Sequence, residues 1–171
     1  MIQDSQQDFS LGEVRVSMTP QERFEEYLQS KGKRTTQQRR VLVDHVFSRH
    51  EHFDADELIG QLSQLQSDAK ISRATVYRAL DELVEAGLLR KMTLGGRSVY
   101  EHDYGYPQHD HLHCTECDKL IEFRSAELEQ LREAVARENG FRVTGHRLTI
   151  TGVCEACANQ RHRQRSPLDL I

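Results

Sequence analysis

The feature that most constrains this chain is the placement of its four cysteines. They form two Cys-x-x-Cys pairs, Cys114/Cys117 and Cys154/Cys157, with residues 118–153 between them. Four thiolates satisfy a tetrahedral zinc ion and close its shell, leaving no open position for catalysis. A redox dithiol or an iron–sulfur cluster is the competing reading. A redox pair normally opens a helix within a βαβ unit, however, and one pair would serve. Disulfides are uncommon in a reducing cytosol, and a cytoplasmic chain is expected. The opening MIQDSQQDFS lacks the basic-then-apolar pattern of a secretory signal, and no apolar run is long enough to span a bilayer. A structural zinc ion held by Cys114, Cys117, Cys154 and Cys157 is the expectation.

Just upstream, His109, His111 and His113 alternate in HDHLH, with Glu101 and His102 before them and Glu122 after. On an extended backbone His109 and His111 point to one side and Asp110 to the other. Two separate nitrogen/oxygen sites can therefore share the segment. Such donors suit Fe(II), Mn(II), Zn(II) or Co(II) without choosing among them. A solvated, His-rich loop is the bland alternative. Enzyme signatures are missing: the chain has no H-E-x-x-H, G-x-S-x-G, P-loop or G-x-G-x-x-G run.

The first half reads as helices. From Pro20, Phe24, Tyr27 and Leu28 recur at helical spacing until Gly32. Thr35 or Thr36 can cap a second helix, with Val41, Leu42, His45 and Val46 on one face. Asp54 and Glu57 form a capping-box pattern ahead of Leu58, Ile59, Leu62 and Leu65. Ser72 opens a fourth helix whose Val76, Leu80, Leu83 and Val84 form a buried stripe that Gly87 ends. Two strand-like runs around Gly95-Gly96 then predict a hairpin. Short helices followed by a two-stranded wing describe a winged helix-turn-helix. The chain's net charge of −4 does not favour nucleic acid. Yet Lys31, Lys33, Arg34, Arg39 and Arg40 cluster without an intervening acid, and screening beyond about 10 Å lets a local basic face bind phosphates.

The second half reads strand, helix, strand: Leu120 to Phe123, a helix from Ser125 with Leu128, Leu131 and Val135, and a long strand from Phe141 to Val153. Its core is thin, so a metal or a partner subunit is expected to stabilise it. The fold class is α+β, an N-terminal winged helix-turn-helix followed by a small C-terminal α/β domain. The expected boundaries are a mobile arm at 1–18, a winged-helix domain at 19–101, a connector at 102–108, a metal-binding domain at 109–160 and a tail at 161–171.

The stretches GKRTTQQRRVLV, HFDADEL, ISRATVYRALDELVEAGLL, GGRSVYE, HDHLHCTECDKLIEF and GHRLTITGVCEAC resemble the ferric uptake regulator family over residues 20–160. The resemblance implies a DNA-binding domain at 19–101, a hinge at 102–108 and a dimerisation domain at 109–160, in a dimeric repressor that binds double-stranded DNA when a metal corepressor is present. It matches Cys114, Cys117, Cys154 and Cys157 to a structural zinc site. It matches His52, Glu101, His109, His111 and Glu122 to a regulatory site joining the domains. Asp110, Glu129 and His146 match a third, auxiliary site, for which Gln108 stands where the family often has His. Glu122 stands where peroxide-sensing members have Asp, and no cysteine lies near Glu101 as in many zinc sensors. Both features point to iron(II) as corepressor, with zinc or manganese as alternatives. The alternative functions are a zinc- or peroxide-sensing member, or a zinc-stabilised adaptor that binds protein instead of DNA.

The fourth helix is expected in the major groove of an A·T-rich palindrome. Tyr77 and Arg78 would lie near base edges and phosphates, and Ser72, Arg73 and Thr75 at its N-terminal end. Tyr77 could instead be an amphipathic core residue. By the same resemblance, Arg34 reaches a minor groove and Arg39 a phosphate.

Overall fold

Each predicted helix start in the first half has a polar cap with a partner three residues on. The structure, a computed structural model, describes residues 14–49, 51–65 and 71–164, with side chains as far as 160. Most of the expected arm, and the tail from 165, lie outside the described residues. Helix α1 (Pro20–Ser30) begins with a capping box that adds to the helical spacing expected there. Thr19 accepts from the Glu22 N–H at 3.2 Å, and the Glu22 carboxylate accepts from the Thr19 N–H at 2.8 Å. Thr36, not Thr35, caps α2 (Gln37–Phe47). Asp54 and Glu57 form the expected box on α3 (Ala55–Gln64), and Ser72 caps α4 (Arg73–Glu85). Each such cap contributes about 1 kcal/mol.

The inward faces of these helices meet in one apolar core. Phe24 and Leu28 of α1, Leu42, Val43 and Val46 of α2, Leu58 and Leu62 of α3, and Val76, Leu80 and Leu83 of α4 are buried with Leu88, Leu89 and Tyr100. Leu65 departs from expectation: it follows the last turn of α3 in extended backbone and is 39% exposed. The wing, β2 (Leu89–Leu94) and β3 (Arg97–His102), turns at Gly95 and Gly96. Both have positive φ, as a two-residue hairpin of this twist requires. A third strand, β1 (Phe53–Asp54), pairs with β3 and makes the order β1-β3-β2. Two residues carry no periodicity. Their pairing rests on tertiary contact, the Phe53 ring stacking on Tyr100 at 5.8 Å between centroids.

The chain divides into two compact units, with a boundary along the sequence between Pro107 and Gln108. In the second, β4 (Asp110–Cys114) is central, antiparallel to β5 (Leu120–Phe123) and parallel to β6 (Thr149–Gly152). Helix α5 (Ala126–Glu138) is capped by Ser125, and α6 (Glu155–Gln164) follows Cys154. The long strand expected from Phe141 to Val153 is thus only four residues. A strand persists only where a neighbour supplies backbone partners, and β6 is confined to the stretch that pairs with His111–Cys114. Among the described residues of this unit, Cys114 and Ala136 are the buried apolar side chains. The other buried residues are His109, Asp110, His111 and His113, so this unit has a polar interior and little hydrophobic stabilisation of its own. Leu112, Ile121 and Ile150 share the sheet face opposite His111 and His113 and remain exposed, and Leu131, Val135 and Phe141 are exposed too.

Candidate metal centres and recognition helix

Parallel pairing of β6 with β4 is what closes the cysteine interval. It sets Gly152 beside Cys114, so Cys154 arrives two residues later and Cys157 falls in the first turn of α6. Cys117 returns toward them through a tight turn in which Asp118 adopts φ 57°, a conformation Asp tolerates better than most residues. The Asp118 carboxylate lies 3.1 Å from His113 Nε2, which ties the turn to β4. The four Sγ atoms lie within 4.8 Å of one another, with Cys114–Cys157 at 4.0 Å and Cys117–Cys154 at 3.7 Å. A tetrahedron with metal–sulfur bonds of about 2.3 Å has edges of about 3.8 Å, so these thiols fit zinc. Backbone N–H groups of Cys154 and Glu116 pull the Cys114 thiol down to about 6. The crowding thiols of Cys154 and Cys117 push Cys157 up to about 12. Four thiolates cannot share this space without a cation, and a bound dication removes that conflict.

On the other face of β4, the register places Glu122 directly across from His111. His109, two residues earlier, turns its ring to the same side, 4.8 Å from that of His111 and edge-on. Its Nε2 lies 3.7 Å from Glu122 Oε1. One donor atom from each of His109, His111 and Glu122 lies within 4.8 Å of the others, so the C-terminal unit gathers two imidazoles and a carboxylate. In the N-terminal unit, His52 Nε2 meets Glu101 Oε2 at 3.1 Å, and Arg90, the cross-strand neighbour of Glu101, approaches Oε1 at 3.5 Å. His102 serves the core instead: its Nε2 contacts the Val46 carbonyl at 3.0 Å and its ring stacks on Phe47.

The residues matched to an auxiliary site are treated differently. His146 Nε2 lies 2.9 Å from Asp110 Oδ1, but its Nδ1 faces Arg132 Nη1 at 2.7 Å and Gln108 Nε2 at 3.0 Å. Glu129 turns to Arg124 at 2.9 Å, and that guanidinium holds its carboxyl below the usual range. Asp110, Glu129 and His146 thus engage arginines and one another, while Asp110 Oδ1 lies buried without a hydrogen bond. Arg124 and Arg132 were not singled out in the sequence: Arg124 meets Glu129 five residues on, across the start of α5, and Arg132 meets His146, which lies beyond the end of that helix.

On α4, Ser72, Arg73, Tyr77 and Arg78 are exposed and Thr75 is half-buried, its hydroxyl 2.9 Å from that of Ser72. Tyr77 is 43% exposed, so it is not a core residue. Asp56 of α3 receives Arg73 at 2.6 Å and the Tyr77 hydroxyl at 3.5 Å. Arg34 is exposed. Arg39 is not aligned with these: its Nε and Nη2 grip the buried Glu82 of α4 at 2.9–3.1 Å and its Nη1 donates to the Arg34 carbonyl. Lys33 joins Glu82 at 2.8 Å.

Residues 30–151 match the model of the ferric uptake regulator family. The ferric uptake regulation protein of Campylobacter jejuni is 34% identical over 140 residues, covering 82% of this chain and 89% of that protein. The crystal structure of the Vibrio cholerae ferric uptake regulator superposes with a TM-score of 0.63 at 32% identity, over 76% of this chain and 98% of that one. A zinc uptake regulator complexed with zinc and DNA matches at 25% identity with a TM-score of 0.51, over 85% of this chain and 99% of that one. No helix among the described residues is long and apolar enough to cross a membrane. With the family model spanning both units and a relative above 30% identity along most of its length, the chain belongs to the ferric uptake regulator family, whose members are metal-responsive transcription regulators rather than enzymes.

Proposed function

We propose that this chain is an iron(II)-responsive repressor that binds A·T-rich palindromic operators as a homodimer in the cytoplasm. The observation that carries the reading is the separation of two donor sets on opposite chemistries: four thiols at the ends of β4 and β6, and His109, His111 and Glu122 on one face of β4 and β5. The thiols suit a closed, permanent zinc site, while imidazole and carboxylate suit an exchangeable iron(II), zinc(II) or manganese(II) ion. When bound, that ion supplies a positive centre that draws imidazole nitrogens and carboxylate oxygens together. His52 and Glu101 are proposed to complete the set from the N-terminal unit, so occupancy biases how the two units are held. The bias can reach only as far as affinities for the alternative arrangements differ.

The exposed apolar residues Leu112, Ile121 and Ile150, with Leu131, Val135 and Phe141, support the dimer, because this unit has few buried apolar side chains to stabilise it alone. A dimer would carry two copies of α4, with Arg73, Thr75, Tyr77 and Arg78 on its outer side and Ser72 at its cap, as a two-fold operator requires. The DNA-bound zinc uptake regulator among its similar structures supports the same partner. The test is anaerobic purification with metal analysis, followed by DNA binding with Fe(II), Mn(II) or Zn(II) added back to duplexes selected from a random pool. Iron(II)-dependent selection of an A·T-rich inverted repeat is the expected result. A response to zinc or manganese alone would reassign the sensed metal, and no metal-dependent DNA binding would remove the reading.

A further inference from the structure

The third cluster of the C-terminal unit has a chemistry of its own. A guanidinium can only donate hydrogen bonds, so the 2.7 Å contact from Arg132 Nη1 requires His146 Nδ1 to be bare. The ring proton then sits on Nε2 and is donated to the buried Asp110 carboxylate, 2.9 Å from Oδ1 and 3.2 Å from Oδ2. Gln108 adds a second fixed donor, its Nε2 reaching the His146 carbonyl at 3.1 Å. Both imidazole nitrogens are committed; Asp110 Oδ2 takes the ring N–H, and the buried Oδ1 has no hydrogen bond of its own. Arg124 meanwhile occupies Glu129.

We propose that Arg132 replaces the auxiliary metal ion in this chain. The Arg132–His146–Asp110 tie is a permanent, protein-supplied cation site linking α5, the segment before β6 and the start of β4. Asp110 lies between His109 and His111 and projects to the opposite face. Pinning it therefore fixes the strand from which those two imidazoles project. Arg132 is a positioning residue for them, an inference that rests on His109 and His111 binding the exchangeable metal. Supporting groups of this kind typically change metal affinity by about 10–100-fold when removed.

The experiment is titration of the full-length, zinc-retaining protein with Mn(II), following free Mn(II) by electron paramagnetic resonance. Wild type is expected to take one exchangeable ion per chain, and His146→Gln is expected to leave that count at one. Arg132→Ala removes the guanidinium from His146 Nδ1, leaving that nitrogen only the neutral Gln108 amide at 3.0 Å. It is expected to weaken the first ion at least tenfold and to admit a second, weaker ion that the additional change His146→Gln abolishes. Arg132→Lys should keep the count at one, because a charge remains. Two exchangeable ions in wild type, the second lost in His146→Gln, would overturn the proposal. So would an Arg132→Ala protein that keeps its zinc and its fold yet matches wild type in affinity and count. If Arg132→Ala fails to fold, the wild-type and His146→Gln counts still decide between one site and two. No exchangeable ion in wild type would instead sink the regulatory-site reading on which the positioning role depends.

Discussion

Arg39 offers a test in which structure and resemblance point in different directions. Its family match predicts a phosphate contact, yet its guanidinium makes three nitrogen–oxygen contacts with Glu82, whose side chain is only 10% exposed. Removing one partner from a buried ion pair costs about 3–5 kcal/mol, because the remaining charge stays desolvated. Lys33 stays 2.8 Å from the same carboxylate, and the Arg39 side chain is itself 22% exposed. Both reduce the loss, so Arg39→Ala is expected to cost about 2 kcal/mol. In a unit of under 100 residues each kcal/mol lowers Tm by about 4–8 °C. Thermal unfolding without DNA should therefore fall by about 8–16 °C. The double variant Arg39→Met/Glu82→Leu should recover most of that fall, since an apolar pair no longer strands a charge. Unchanged unfolding, together with a salt slope of DNA binding shallower by about one unit, would refute the clamp and restore Arg39 to the phosphate backbone.

Cys114→Ser is expected to release zinc and to lose the dimer and the folded C-terminal unit together, read by metal analysis and sedimentation; a zinc-free dimer would contradict the structural role. Tyr77→Ala, measured at fixed salt and metal, should weaken operator binding by about 1–3 kcal/mol and relax sequence preference while leaving Tm unchanged, as expected of an exposed base-reading side chain. The hydrogen bond from Tyr27 to Glu85 raises the phenol from 10.0 to about 12, so the tie is fully present below pH 10 and is lost as pH rises toward 12. Tyr27→Phe should therefore flatten the alkaline limb of stability against pH and leave the neutral region's shape unchanged.

What was legible in the sequence is what is local. The Cys-x-x-Cys pairs and the alternation of His109, Asp110 and His111 already separate two faces, and the strand delivers that separation. The caps Thr36, Asp54 and Ser72 could be read because their partners lie three residues away. The partner of His111 is Glu122 because of strand register, and the partner of Cys114 is Cys157 because β6 runs parallel to β4. Neither is visible in a short window. Arg39 and Glu82 are far apart in sequence, as are Asp110 and His146, so a basic cluster read as a phosphate face concealed a clamp. The over-long strand from Phe141 has the same origin: alternation marks residues able to form a strand, and pairing decides which of them do.

The central claim is that an exchangeable ion held by His109, His111 and Glu122 controls DNA binding. It is tested most directly by fluorescence anisotropy of a selected inverted-repeat duplex, with wild type and His111→Ala compared at one salt concentration, with and without Fe(II). Wild type is expected to bind only with Fe(II). His111→Ala should retain its zinc and its dimer yet bind no better with Fe(II) than without. Equal Fe(II)-dependent binding by the two proteins would contradict the account.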